Sequence, residues 1–134
     1  MSEETEIRAA LALNAAFYRA LGEGDVAAMD SLWATAGPVI CGHPGAPPLH
    51  GRDAVMGSWR QMLRSPPRIS ATGAQVAMVR GLAFITCTEV IGETRLAATN
   101  ILIWEGGAWR MAFHQAGQLA EDVPEASAGA GALH

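Results

Sequence analysis

The sequence predicts a single α+β domain, with helices first and then a meander of antiparallel strands that the helices cover on one face. Two observations carry this. Apolar residues recur at helical spacing in three stretches before residue 65, and from residue 68 the apolar period changes to two. Glycine-bearing turns then separate four consecutive strand-like runs, and turns that short require antiparallel neighbours. A chain of 134 residues has room for one core, and 50% hydrophobic with 16% charged residues is a composition that builds one.

The first helix is written in Ile7, Leu11, Asn14, Tyr18 and Leu21, with Ala10 and Phe17 widening the same stripe. Gly22 and Gly24 end it, and Asp25 is a good N-cap for a short second helix carrying Met29, Leu32 and Trp33. Gly37-Pro38 breaks that pattern, 39–43 has strand character, and the proline-rich 44–48 can continue neither element. Val55, Ser58, Trp59, Met62 and Leu63 describe a third helix, stopped by Ser65-Pro66-Pro67. The strands follow at about 68–80, 82–92, 95–105 and 108–117, with turns at Arg80-Gly81, Gly92-Glu93 and Gly106-Gly107. Residues 1–118 are thus one domain. The Ala/Gly-rich 119–134 is expected to be a flexible tail.

Charge and cysteine usage narrow the partners. The net charge is −4 and every basic residue is Arg, scattered along the chain, which disfavours nucleic acid. No basic amphipathic helix suggests a membrane surface, and no apolar run is long enough for a membrane span. The N-terminus begins acidic, without the positive stretch of a secretory signal, so the expected compartment is the cytoplasm. Cys41 and Cys87 lie far apart in strand-like sequence and read as unpaired buried thiols. No metal-ligand spacing occurs and nothing calls for a cofactor.

Strand register gives each side chain a face. Pairing outward from Gly106-Gly107 sets Leu102 against Met111 and Asn100 against Phe113. A turn centred on Glu93-Thr94 sets Cys87 against Asn100, Ile85 against Leu102 and Glu89 against Ala98. One face then carries Ile85, Cys87, Glu89, Asn100, Leu102, Trp104, Trp109, Met111, Phe113 and Gln115. The other carries Thr86, Thr88, Val90, Thr99, Ile101, Ile103, Arg110, Ala112 and His114. Glu89, Asn100 and Gln115 are polar groups on an otherwise apolar face. They are either a mutually satisfied cluster or the orienting groups of a ligand cavity.

The segments NAAFYRALGEGDVAAMDSLWA (14–34), VICGHPG (39–45), LHGRDAVMGSW (49–59), ITCTE (85–89), ATN (98–100) and GAWRMAFHQA (107–116) resemble the SnoaL-like branch of the nuclear-transport-factor-2-like (NTF2-like) superfamily, which includes ketosteroid isomerases. The resemblance covers the chain to about residue 118. It implies a cone, a long bent sheet wrapped around the N-terminal helices, commonly dimeric, with a pocket at the wide end. Members include isomerases, polyketide cyclases, dehydratases and epoxide hydrolases, and also the association domain of calmodulin-dependent kinases. The isomerases' Asp base and protonated Asp donor have no counterpart, because Asp stands only at 25, 30, 53 and 122.

Two functions follow. In the first, Glu89 or His43 moves a proton on a small, largely apolar organic ligand, with Asn100 as an oxyanion donor. Tyr18, Trp33, Trp59, Phe113 and Gln115 complete the pocket. In the second, the domain is a non-catalytic ligand-binding or association module. There Glu89 is a structural acceptor, His43 caps a turn, and the aromatics are core. In both, Thr86, Thr88, Thr99, Ile101, Ile103 and Arg110 make an outer face too apolar for solvent, which implies a homodimer.

Overall fold

Ser2 starts the first helix by accepting the Thr5 amide at 3.2 Å, and three glutamates in the first turn complement the helix dipole. This helix, α1 (Glu3–Glu23), ends at Gly24, whose φ of 69° is the left-handed cap that glycine adopts without strain. Asp25 caps the next helix through the Ala28 amide at 3.0 Å. The computed structural model describes residues 2–119, so the proposed tail lies, from residue 120 on, outside the described residues.

The remaining elements are α2 (Val26–Leu32), β1 (Ile40–Gly42), β2 (Leu49–His50), α3 (Arg52–Met62), β3 (Ile69–Val79), β4 (Leu82–Ile91), β5 (Thr94–Glu105) and β6 (Ala108–Gln118). The α+β class, the three helices and the four-strand meander are as expected. The sheet has six strands in the order β2-β1-β6-β5-β4-β3. β1 adds to the meander in parallel with β6, Cys41 opposite His114, a long-range pairing that no local signal announces. No helix among the described residues is long and apolar enough to cross a membrane.

The helices sit on the inner face. Phe17, Met29, Trp33, Val55, Trp59, Ile85, Leu102 and Met111 are buried there, each side chain contributing about 1.5–3 kcal/mol of transfer free energy. Arg52, the first residue of α3, donates to the carbonyls of Asp30, Trp33 and Ala34, which ties α3 to the end of α2. Glu105 accepts from the amides of Thr35, Ala36 and Gly37 at 2.8–2.9 Å and so pins the next loop to the end of β5.

Two register findings position the site. β4 and β5 pair around Gly92-Glu93, with Ile85 opposite Asn100, Cys87 opposite Ala98 and Glu89 opposite Leu96. This is two residues from the expected pairing, and an even slide preserves faces, so Glu89 and Asn100 still point inward together. Along β6 the expected Leu102–Met111 pair holds, but a bulge follows, and Ile101 opposes Phe113 while Asn100 opposes His114. The extra residue, Ala112, exchanges faces beyond it. His114 therefore lies inside, 3% exposed, whereas Phe113 is half-buried and Gln115 exposed on the other side. The expected inward placement of Phe113 and Gln115, and outward placement of His114, are corrected by that one residue.

Candidate functional site

Helical spacing sets Asn14 and Tyr18 one turn apart on the face of α1 that meets the sheet. Opposite them, β4 presents Cys87 and Glu89, β5 presents Asn100, and the bulge in β6 presents His114. Asn14, Glu89, Asn100 and His114 are 0–3% exposed, and Tyr18 is 6% exposed. Polar groups removed so completely from water must satisfy one another. They do so as a chain.

The Tyr18 hydroxyl donates to Glu89 Oε2 at 2.7 Å and accepts from Asn100 Nδ2 at 3.1 Å and from the Cys87 thiol at 3.4 Å. The second Asn100 amide hydrogen goes to Asn14 Oδ1 at 2.8 Å. With both hydrogens committed, Asn100 is not free to serve as the expected oxyanion donor; it positions its neighbours. Its Oδ1 remains an acceptor, 2.6 Å from His114 Nδ1, so the imidazole must donate from Nδ1. Burial above all, and then the charge of His43, hold the His114 pKa down at about 3. At neutral pH the ring is therefore uncharged, with a bare Nε2. That nitrogen lies 3.8 Å from Glu89 Oε2.

Burial raises the Glu89 pKa above the usual carboxylate range, with the Tyr18 hydrogen bond opposing. The bare Nε2 of His114 thus faces the carboxyl oxygen that accepts from Tyr18. Burial, and the neighbouring Glu89 charge, push the Tyr18 phenol far above its ordinary value, so tyrosinate does not form there. Both cysteines are free thiols, as expected, and both are inert: burial carries Cys41 up to about 12 and raises Cys87.

A second polar group lies between β1 and α3. The Ser58 hydroxyl donates its one hydrogen to the Val55 carbonyl at 2.7 Å. His43 Nε2, 2.9 Å from Ser58 Oγ, must then be the donor, which leaves His43 Nδ1 bare on a half-buried ring. Burial lowers the His43 pKa. Trp59 packs edge-on against His43 at 4.8 Å between ring centres and lies 5.9 Å from His114. Its indole Nε1 is buried without a hydrogen-bond partner. Trp33 instead donates to Met29 Sδ at 3.4 Å and stands apart from the polar chain.

The structure thus brings Tyr18, Glu89 and Asn100 together, sets His43 and Trp59 beside them, and leaves Phe113 and Gln115 outside. Sequence reasoning missed His114 as a member. Met-Ala-Phe within a strand reads equally well on either face, so nothing local marks Ala112 as the bulge.

Tyr18 also lines a cleft of about 520 Å3 between the end of α1 and the neighbouring ends of β3 and β4. Arg19, Gly22, Glu23, Arg68, Ile69, Ser70, Val90 and Gly92 complete its walls.

A model of the SnoaL-like domain matches residues 10–121. Among solved structures, the chain is similar to a candidate dehydratase of the NTF2-like family from Streptomyces avermitilis. The two are 28% identical over 89% of this chain and 99% of that one, with a TM-score of 0.82. It is also similar to a candidate calcium/calmodulin-dependent protein kinase type II association domain from Thiobacillus denitrificans, 29% identical over 81% and 94% of the two chains, with a TM-score of 0.69. A candidate ketosteroid isomerase from Parabacteroides distasonis shares the fold, at 15% identity over 83% and 86% and a TM-score of 0.67. A search of functionally curated proteins returned no match.

Proposed function

The chain belongs to the SnoaL-like domain family of the NTF2-like superfamily, and from that premise we propose that it binds a small, largely apolar organic ligand and moves a proton on it. The observation that carries this reading is the buried Tyr18–Glu89–His114 chain, whose contacts of 2.7 and 3.8 Å meet at one carboxylate oxygen. A carboxyl group whose pKa burial raises, beside an imidazole that burial keeps neutral, is a stronger base than an ordinary carboxylate once ionised.

Glu89 is the base and store of the proton in this scheme. Tyr18 keeps its own proton, since tyrosinate is so strongly disfavoured, and its hydroxyl orients Glu89 Oε2. His114 stays neutral with its bare Nε2 facing Glu89, and Asn100 holds the ring in that tautomer. His43, half-buried with a bare Nδ1, is the exchange group toward solvent between β1 and α3. Trp33 and Trp59 supply apolar wall. The similarity to the candidate dehydratase supports chemistry of this class.

A non-catalytic association or ligand-holding module is the second reading. It is favoured by Glu89 being 3% exposed with Tyr18 bonded to it, and by the similarity to the kinase association domain. Either reading includes a homodimer through the outer sheet face. The experiment that separates them is Glu89→Gln, which keeps shape and removes the base. The protein is screened in D2O against small aromatic, steroid-like and polyketide-like acids. Ligand C–H exchange that the variant loses, with binding retained, supports proton transfer. Binding without exchange in the wild type assigns the holding role.

A further inference from the structure

The geometry points to a binding site for a small organic anion, a carboxylate on an apolar body, in the cleft between the end of α1 and the adjoining ends of β3 and β4. The cleft's volume of about 520 Å3 falls within the roughly 300–1,000 Å3 of small-molecule sites. Tyr18, Ile69 and Val90 supply apolar surface, and the polar groups are few: Arg19, Arg68, Glu23 and the Ser70 hydroxyl.

The charge count is two positive to one negative, against a chain whose net charge is −4. Both guanidinium groups are unspent among the described residues. Arg19 and Arg68 form no ion pair or hydrogen bond with a described residue, and neither is neutralised by Glu23, which shares the cleft with them. A guanidinium fork matches a carboxylate in two parallel hydrogen bonds, so these are the groups an acidic ligand would engage. Two of the carbonyls at the end of α1 are already hydrogen-bonded within the chain. Ala20 accepts from Asp25 at 3.0 Å and Leu21 from Gly24 at 3.4 Å.

Tyr18 connects this cleft to the interior, because the side chain that lines it also donates to Glu89. The site names the ligand class for the proton-transfer reading, and rests on that reading only in treating Tyr18 as their shared residue. An acid seated on Arg19 and Arg68 lays its apolar body on Tyr18, Ile69 and Val90, beside the Tyr18–Glu89 hydrogen bond.

The test titrates the full chain with 2-naphthoate and with its neutral isostere 2-naphthamide, followed by backbone amide NMR. Naphthoate should shift Gly22, Ser70 and Gly92 saturably, and the amide should bind about tenfold more weakly or not at all. Arg19→Ala and Arg68→Ala, both at exposed positions, should each weaken naphthoate about tenfold without unfolding the protein. Binding should also weaken with added salt. Affinity is read here without any proton exchange on the ligand, so failure of the cleft is distinguishable from failure of the proton-transfer reading. Equal affinity for acid and amide, indifference to both arginine substitutions, or no saturable shift at millimolar naphthoate would each overturn the assignment.

Discussion

Asn100 Oδ1 lies 2.6 Å from His114 Nδ1, and this contact decides which imidazole nitrogen faces Glu89. The reason runs back to α1. Asn14 and Tyr18 take both amide hydrogens of Asn100, so only its oxygen is left for the histidine. Residues at 14, 18, 100 and 114 thus act as one unit, and its output is a bare Nε2 placed 3.8 Å from Glu89.

Removing the centre of that unit should cost more than a surface change. Asn100→Ala strands Asn14 Oδ1 and His114 Nδ1 in a site that is 0–3% exposed. The expected loss is about 3 kcal/mol of unfolding free energy, from buried groups left without partners. Urea denaturation measures it, and a loss under about 0.5 kcal/mol, the level of a surface substitution, would contradict the network.

Glu89 and His114 should give opposite slopes of stability against pH. The folded state raises the Glu89 pKa above its usual 4.5, so it binds the proton more tightly than the unfolded chain does. Stability from this group is therefore full below 4.5 and falls as pH rises through the folded value. His114 drops from 6.5 to about 3, so its contribution is full above 6.5 and falls as pH decreases toward 3. Glu89→Gln should abolish the first slope and leave the second. Unfolding curves across that range that remain parallel in wild type and variant would refute the assignment.

The outer carboxylate behaves differently. Glu105 accepts three successive amides and the Thr35 hydroxyl, and the amide bonds of Thr35 and Ala36 lead in holding its pKa at about 2 against a usual 4.5. Its contribution is present above 4.5 and lost as pH falls toward 2. Glu105→Gln should flatten stability over that interval and speed amide exchange at Thr35, Ala36 and Gly37. Unchanged exchange at these three amides would show that Glu105 does not hold the loop.

How far the sequence could be read depended on whether a feature was local. The stripe with Asn14 and Tyr18, the Asp25 cap and the alternating strands are short-range patterns, and each is found in the structure. Glu89 and Asn100 share a face as expected because the error in pairing was even. The bulge at Ala112 is an odd error, and it reversed Phe113, His114 and Gln115 together. The parallel β1–β6 pairing joins residues some seventy positions apart, and no periodicity reports such a contact.

The outer face supplies another test. Thr99, Ile101, Ile103 and Arg110 are half-buried there, and the bulge adds Phe113. A dimer through this face should appear by light scattering at micromolar concentration, and Ile101→Glu should reduce it to monomer while retaining the fold. A monomeric wild type would remove the interface.

The central claim, a neutral His114 whose bare nitrogen faces the Glu89 carboxyl group, is most directly tested by 15N NMR of the imidazole in the intact protein at neutral pH. Nδ1 should be protonated and Nε2 unprotonated, with no imidazolium forming until the pH falls toward about 3. A proton resident on Nε2, or an imidazolium already present at neutral pH, would contradict it.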